Sequence, residues 1–154
     1  MAKFMLTGDL RLEHCQYRCN AMSETNRHAG GCLCGAVRFH ATGTPDRVLS
    51  CHCVMCRQHT GGPFVVLAVY PPDRVTVTGD TLDYRSSEQV LRRRCAVCGG
   101  QFLIESLNSG ALELYTGCFD DPEPFAPEYE IFAGNRPRWL PAFGDIPTYQ
   151  RFRE

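Results

Sequence analysis

The chain has 154 residues, 44% hydrophobic and 21% charged, a balance that suits one globular domain with its own apolar core and argues against general disorder. Its 16 Lys and Arg against 17 Asp and Glu leave a net charge of -1, so no overall pull towards nucleic acid or an anionic membrane is expected. No run approaches the ~20 apolar residues of a membrane span, and the opening MAKFMLTGDL is broken at Gly8 and Asp9, short of a secretory apolar region. The expectation is a cytoplasmic protein with neither nucleic acid nor membrane as partner. In such a reducing compartment, ten cysteines are tested first as metal ligands rather than as disulfides.

Residues 1–22 carry no sustained period-2 or period-3.6 pattern and are read as an N-terminal extension; Met22 would itself serve as a start. Residues 23–154 form the domain. From Gly31 onwards, short alternating runs are broken by turns, as in a β protein. In LCGAVRFH, Leu33, Val37 and Phe39 are expected on one face. PFVVLAVY (63–70), RVTVTG (74–79), TLDYRS, QVLRRRC, ALELYTG (111–117) and EYEIFAG (128–134) continue the series. Turns are expected at TGD (78–80) and NSG (108–110), where Gly, Asp and Asn tolerate positive φ. Helix is limited to a short turn after Cys56. The pattern predicts a mainly β, single domain of antiparallel sheets. The Pro-rich tail should wrap across the body, anchored by Phe119, Phe125, Tyr129, Phe132, Trp139, Phe143 and Tyr149.

Seven cysteines fall into three clusters: Cys32 and Cys34; Cys51, Cys53 and Cys56; Cys95 and Cys98. In an extended strand, residues i and i+2 share a face, so the first pair could present two sulfurs to one ion. Cys95 and Cys98, followed by Gly99 and Gly100, have the form of a zinc knuckle, in which glycine permits a tight turn that aims backbone N–H groups at sulfur. Two divisions compete. Either Cys32, Cys34, Cys95 and Cys98 close a structural site and leave Cys51, Cys53 and Cys56 as a local trio, or Cys53/Cys56 and Cys95/Cys98 make one four-thiolate ribbon. The first uses every cluster and is preferred. Three thiolates leave zinc one further position, which is either open for chemistry or closed by a distant ligand.

The segments GGCLCGAVRF, CHCVMCRQHTGGPF and CAVCGGQF, with IFAGNRPRWL and DIPTY in the tail, together resemble the GFA family, the glutathione-dependent formaldehyde-activating enzymes and the centromere protein V-like domains. The resemblance runs from about Gly31 to Tyr149. It implies a zinc-stabilised fold of short coiled sheets, similar to Rab-binding zinc chaperones and methionine sulfoxide reductase B. It also implies two zinc ions per chain, a structural one on Cys32, Cys34, Cys95 and Cys98 and a catalytic one on Cys51, Cys53 and Cys56. The implied reaction is that of a carbon–sulfur lyase, joining glutathione to formaldehyde as S-(hydroxymethyl)glutathione or cleaving such an adduct, with another small aldehyde as an equally suited substrate.

Glutathione carries two carboxylates, and Arg57, beside Cys56, is the first candidate to bind one of them. Arg92, Arg93 and Arg94 lead directly into Cys95; in a strand their side chains alternate faces, and at least some of them are expected to be solvated. His59 is spaced to close the trio as a fourth ligand, but the following Gly61, Gly62 and Pro63 favour a solvated turn. His52 alternates with two ligands and is given no role. Cys118 is read as a small buried residue, and Cys15 and Cys19 lie in the unassigned extension. The alternative to an enzyme is a non-catalytic zinc module that binds a protein partner. A chromatin-associated role is disfavoured by the near-neutral charge.

Overall fold

The computed structural model describes residues 26–153. The whole extension, with Cys15, Cys19 and Met22, lies outside the described residues. Among the described residues ten strands follow one another: β1 (Arg27–Gly31), β2 (Arg38–Thr42), β3 (Arg47–Cys51), β4 (Val65–Tyr70), β5 (Val75–Thr78), β6 (Thr81–Ser87), β7 (Val90–Cys95), β8 (Gln101–Ser106), β9 (Leu112–Tyr115) and β10 (Tyr129–Ile131). One α-helix, α1 (Val54–Thr60), lies between β3 and β4. The strands form two sheets, a three-stranded β1-β2-β5 and a seven-stranded β10-β3-β4-β9-β8-β7-β6. All pairings are antiparallel except β10 on β3, which is parallel because the tail returns along β3 in the same direction.

Period-2 alternation decides which face of the large sheet is which. Val48 on β3, Ala68 and Tyr70 on β4, Leu103 on β8 and Leu114 on β9 point to the small sheet. There they pack with Val37, Phe39, Ala41 and Val75 in the main core. Their neighbours Leu49, Cys51, Val65, Leu67, Val69, Ile104 and Tyr115 point to the opposite face and form a second cluster with Tyr129 and Ile131 of the tail. The large sheet is thus apolar on both sides, with only the first side covered by another sheet.

The expected strands at 63–70, 74–79, 111–117 and 128–134 contain β4, β5, β9 and β10. Gly79 and Gly110 take φ of 95° and 72° in the expected turns. The run at 33–40 departs from the expectation. Leu33 is 96% exposed, while Val37 and Phe39 are fully buried, because residues 32–36 make a turn closed by Gly35 N–H on Cys32 O before β2 begins. The helix also begins earlier than expected, at Val54, with Cys53 as its N-cap.

In the tail, Phe119, Phe125 and Tyr129 are buried and anchor the chain as expected. Trp139 does not: it is 72% exposed, at the outside of a turn in which Leu140 N–H bonds Pro137 O. The stronger anchor is Glu130, fully buried, whose carboxylate accepts from His52 Nε2 at 2.7 Å, from Arg136 Nη1 at 3.0 Å and from Phe143 N–H at 3.2 Å. Burial alone would raise the Glu130 carboxyl, but these three donors outweigh it and hold the group below the usual carboxylate range. His52, assigned no role from the sequence, is therefore the residue that ties the start of the helix segment to the tail.

Candidate metal centres and the adjoining cavity

Four sulfurs meet where the two sheets join. Cys32 and Cys34 lie in the β1–β2 turn, Cys95 ends β7 and Cys98 lies in the β7–β8 turn, and their Sγ atoms all fall within 4.8 Å of one another. The first pair reaches this arrangement from a turn and not from a strand. Its sulfurs are 3.5 Å apart, and Cys34 Sγ is 3.8 Å from Cys95 Sγ. Backbone N–H groups of Val37, Val97 and Gly100 point at the sulfurs of Cys32, Cys95 and Cys98 at 3.2 to 3.4 Å. Gly99 supplies the left-handed residue (φ 72°) that the knuckle needs. These donors stabilise thiolates, and four thiolates at this spacing suit a closed tetrahedral zinc site.

Three sulfurs meet separately at the end of β3. Cys51 is its last residue, Cys53 caps α1 and Cys56 lies in the first turn, and their Sγ atoms again fall within 4.8 Å of one another. Cys53 Sγ accepts from Cys56 N–H at 3.2 Å, which fixes the cap and turns both sulfurs the same way. In three sulfurs this close, a negative charge on one is stabilised by the thiol protons of the other two and opposes a second charge beside it. Contacts with Cys51 and Cys56 hold the Cys53 thiol far below its ordinary value, and the same contacts, with burial, push Cys51 up. The set, soft donors with negative charge already favoured on one sulfur, suits zinc.

His59 does not join this group. It is half-buried, not solvated as expected: its Nε2 is buried without a hydrogen bond, and burial, followed by the charges of Arg92 and Arg94, pushes the imidazole down to about 4. Cys118 belongs to neither cluster and donates from Sγ to Gln101 O at 3.1 Å.

The trio opens on a cavity of about 490 Å³ over the uncovered face of the large sheet. Leu49, Leu67, Ile104 and Ile131 form its floor, and Val54, Met55, Phe132 and Phe152 its sides. Among the lining residues only Arg92 and Glu113 are charged. Arg92 is 4% exposed and donates from Nε to Ser86 Oγ at 3.0 Å, while its Nη1 is buried without a partner. Arg93, on the other face, pairs with Glu105, and Arg94 is exposed, beyond a register shift of β7 on β8 between Arg93 and Arg94. Arg57 is half-buried on α1 and is not among the lining residues. Glu113 lies on β9, and burial raises its carboxyl above the usual range although Arg47 and Arg92 pull it down.

Residues 27–135 match the sequence model of a family described as glutathione-dependent formaldehyde-activating enzymes (GFA). Among solved structures, the chain is similar to a Rhodobacter sphaeroides protein at 14% identity and a TM-score of 0.50, covering 78% of this chain and 98% of that one. At that identity the likeness concerns the fold alone. No helix among the described residues is long and apolar enough to cross a membrane.

Proposed function

Because this chain belongs to the GFA family of glutathione-dependent formaldehyde-activating enzymes, we propose that it is a cytoplasmic carbon–sulfur lyase acting on the adduct of a thiol, glutathione or a related compound, with formaldehyde or another small aldehyde. The observation that carries the reading is that a trio of sulfurs opens directly on the cavity, whereas the four-sulfur cluster lies between two turns.

In this reading, Cys32, Cys34, Cys95 and Cys98 hold a structural zinc ion, and Cys51, Cys53 and Cys56 hold a second. A zinc ion held there would supply a preference for sulfur and a positive charge that favours the thiolate form of the substrate thiol. The chain's own groups do the rest. The Cys53 cap and the Cys51–Val65 register of β3 on β4 fix the directions of the three sulfurs. The apolar floor keeps the reacting sulfur and the carbonyl carbon out of bulk water, which favours the adduct over hydration of the aldehyde. In the addition, the thiol loses its proton, sulfur bonds to the carbonyl carbon, the C=O π bond opens, and oxygen takes a proton. The reverse cleaves the same carbon–sulfur bond, and neither direction consumes an oxidant or reductant.

The test is zinc per chain, by elemental analysis on reduced protein, with the rate of thiol–formaldehyde exchange measured by NMR. The wild type should hold two equivalents, one for each sulfur group. Cys53→Ala should hold one, stay folded and lose the rate above the uncatalysed background. A wild type with no rate enhancement for any thiol and aldehyde pair would remove the enzyme and leave a zinc module.

A further inference from the structure

Register places two charges, a buried Arg92 and a half-buried Glu113, in one row across the cavity floor. Arg92 on β7 stands opposite Ile104 on β8, and Ile104 stands opposite Glu113 on β9. Partners in register point to the same face, so Arg92, Ile104 and Glu113 all face the cavity, consistent with their places in its lining. At about 4.8 Å per strand, the Arg92 and Glu113 backbones are about 10 Å apart. The two side chains make no ion pair with each other. Arg92 spends its Nε on the neutral Ser86 hydroxyl, lies beside that of Tyr115 and keeps Nη1 buried without a hydrogen bond, and Glu113 has no hydrogen bond or ion pair among the described residues, Arg47 and Arg92 attracting it from beyond ion-pair distance. A buried guanidinium with no carboxylate within ion-pair distance is unfavourable, and a cavity that holds one charge of each sign at a fixed spacing is completed by a ligand that carries the opposite pair.

We propose that Arg92 and Glu113 form the receptor for the α-amino-acid head of the thiol substrate, with Arg92 binding its carboxylate and Glu113 its ammonium group, while its sulfur lies at the Cys51, Cys53 and Cys56 trio. The inference rests on the reading of the trio given above and narrows the substrate to zwitterionic thiols. Two sources supply this head: free cysteine, and the γ-glutamyl end of glutathione. A guanidinium matches a carboxylate with two parallel N–H groups, and Glu113 repels a second carboxylate that would otherwise compete for the same site. The floor between them, Ile104, offers no polar partner and so does not favour a hydroxyl in place of either charge.

The experiment is calorimetric binding of cysteine, glutathione, cysteamine (no carboxylate) and 3-mercaptopropionate (no ammonium) to the full zinc-loaded chain and to Arg92→Met, Arg92→Lys, Glu113→Gln and Arg57→Ala. In the wild type, loss of the carboxylate should weaken binding about tenfold or more, the size of one charge-assisted contact. Arg92→Met should abolish that discrimination, Arg92→Lys should restore part of it, and Glu113→Gln should remove only the preference for the ammonium group. Arg57→Ala should leave all four affinities within about twofold, since Arg57 does not line the cavity. Cysteine binding better than glutathione identifies the free amino acid as the source, and the reverse identifies the γ-glutamyl end. Equal binding of cysteamine and cysteine to the wild type, or a uniform loss for all four thiols in Arg92→Met, would overturn the proposal. The trio is tested apart from the head, by the visible spectrum of the cobalt-substituted protein with 2-mercaptoethanol, which has no head. A spectral shift without head discrimination keeps the trio and overturns the receptor. Head-dependent binding of S-methylcysteine without a shift does the opposite.

Discussion

Replacing Glu130 by Gln tests whether one buried carboxylate holds the tail to the body. Glu130 is fully buried and accepts from three donors, of which His52 is also fully buried and Arg136 is 23% exposed. The amide keeps an acceptor oxygen but has no charge, and its NH2 group faces donors. Breaking a buried ionic network by removing one partner costs about 3–5 kcal/mol, and the retained acceptor puts Glu130→Gln near 3 kcal/mol. For a domain of this size that corresponds to a Tm lower by about 10 °C. The pH dependence has a definite sign. The folded Glu130 carboxyl lies below its unfolded value of about 4.3, so its contribution is fully present above that value and is lost as pH falls through the folded one. Urea unfolding of both proteins should therefore show a constant deficit from pH 8 down to about 5.5 that narrows only in more acidic solution. A deficit below about 1 kcal/mol, or one that already disappears between pH 8 and 6, would refute the argument.

Cys95→Ser should lower zinc by one equivalent and make the two sheets separable, seen as loss of the sharp thermal transition, whereas Cys53→Ala should leave that transition in place. Gly79→Ala should destabilise the fold by about 2–4 kcal/mol in urea titrations, because φ is 95° there and an added Cβ would lie 2.1 Å from the Ala36 carbonyl oxygen. Leu103→Ala, at a fully buried position between the sheets, should cost about 2–5 kcal/mol by the same measurement. A Tm loss on chelation that is smaller in Cys53→Ala than in the wild type would show that the trio, too, stabilises the fold.

What could be read from the sequence follows the range of the signal. The strands 65–70, 75–78 and 112–115 were legible because alternation and flanking turns lie within a few residues of each other. The cysteine clusters were legible for the same reason: each is a local spacing, and only the pairing of clusters spans the chain. Arg92 and Glu113 were not singled out, since 20 intervening residues and an intervening strand separate them and only the registers β7 on β8 and β8 on β9 bring them into one row. Arg57 was the nearer cation in sequence, but the helix that begins at Val54 carries it away from the cavity lining. His52 was set aside because alternation turns it from the sulfurs. Alternation gives that direction, but the residue His52 faces, Glu130, is 78 positions away.

The two cysteine sites divide two structural tasks, and the division explains where the cavity is. The four-sulfur cluster joins the β1–β2 turn of the small sheet to the β7–β8 turn of the large one, so it holds the main core shut from its edge. With that face closed by a sheet, the other apolar face of the large sheet must be covered by whatever remains: the seven-residue α1 and the tail around Ile131, Phe132 and Phe152. These segments are too short to cover seven strands, and the uncovered floor between them is the cavity. The trio lies at the junction of β3 and α1, at one edge of that floor, and Arg92 and Glu113 lie within it. A ligand that spans sulfur trio and charged row therefore completes both the electrostatics and the packing of a face the fold leaves unfinished, which links affinity to stability. Zwitterionic thiols should raise Tm in the wild type and much less so in Arg92→Met.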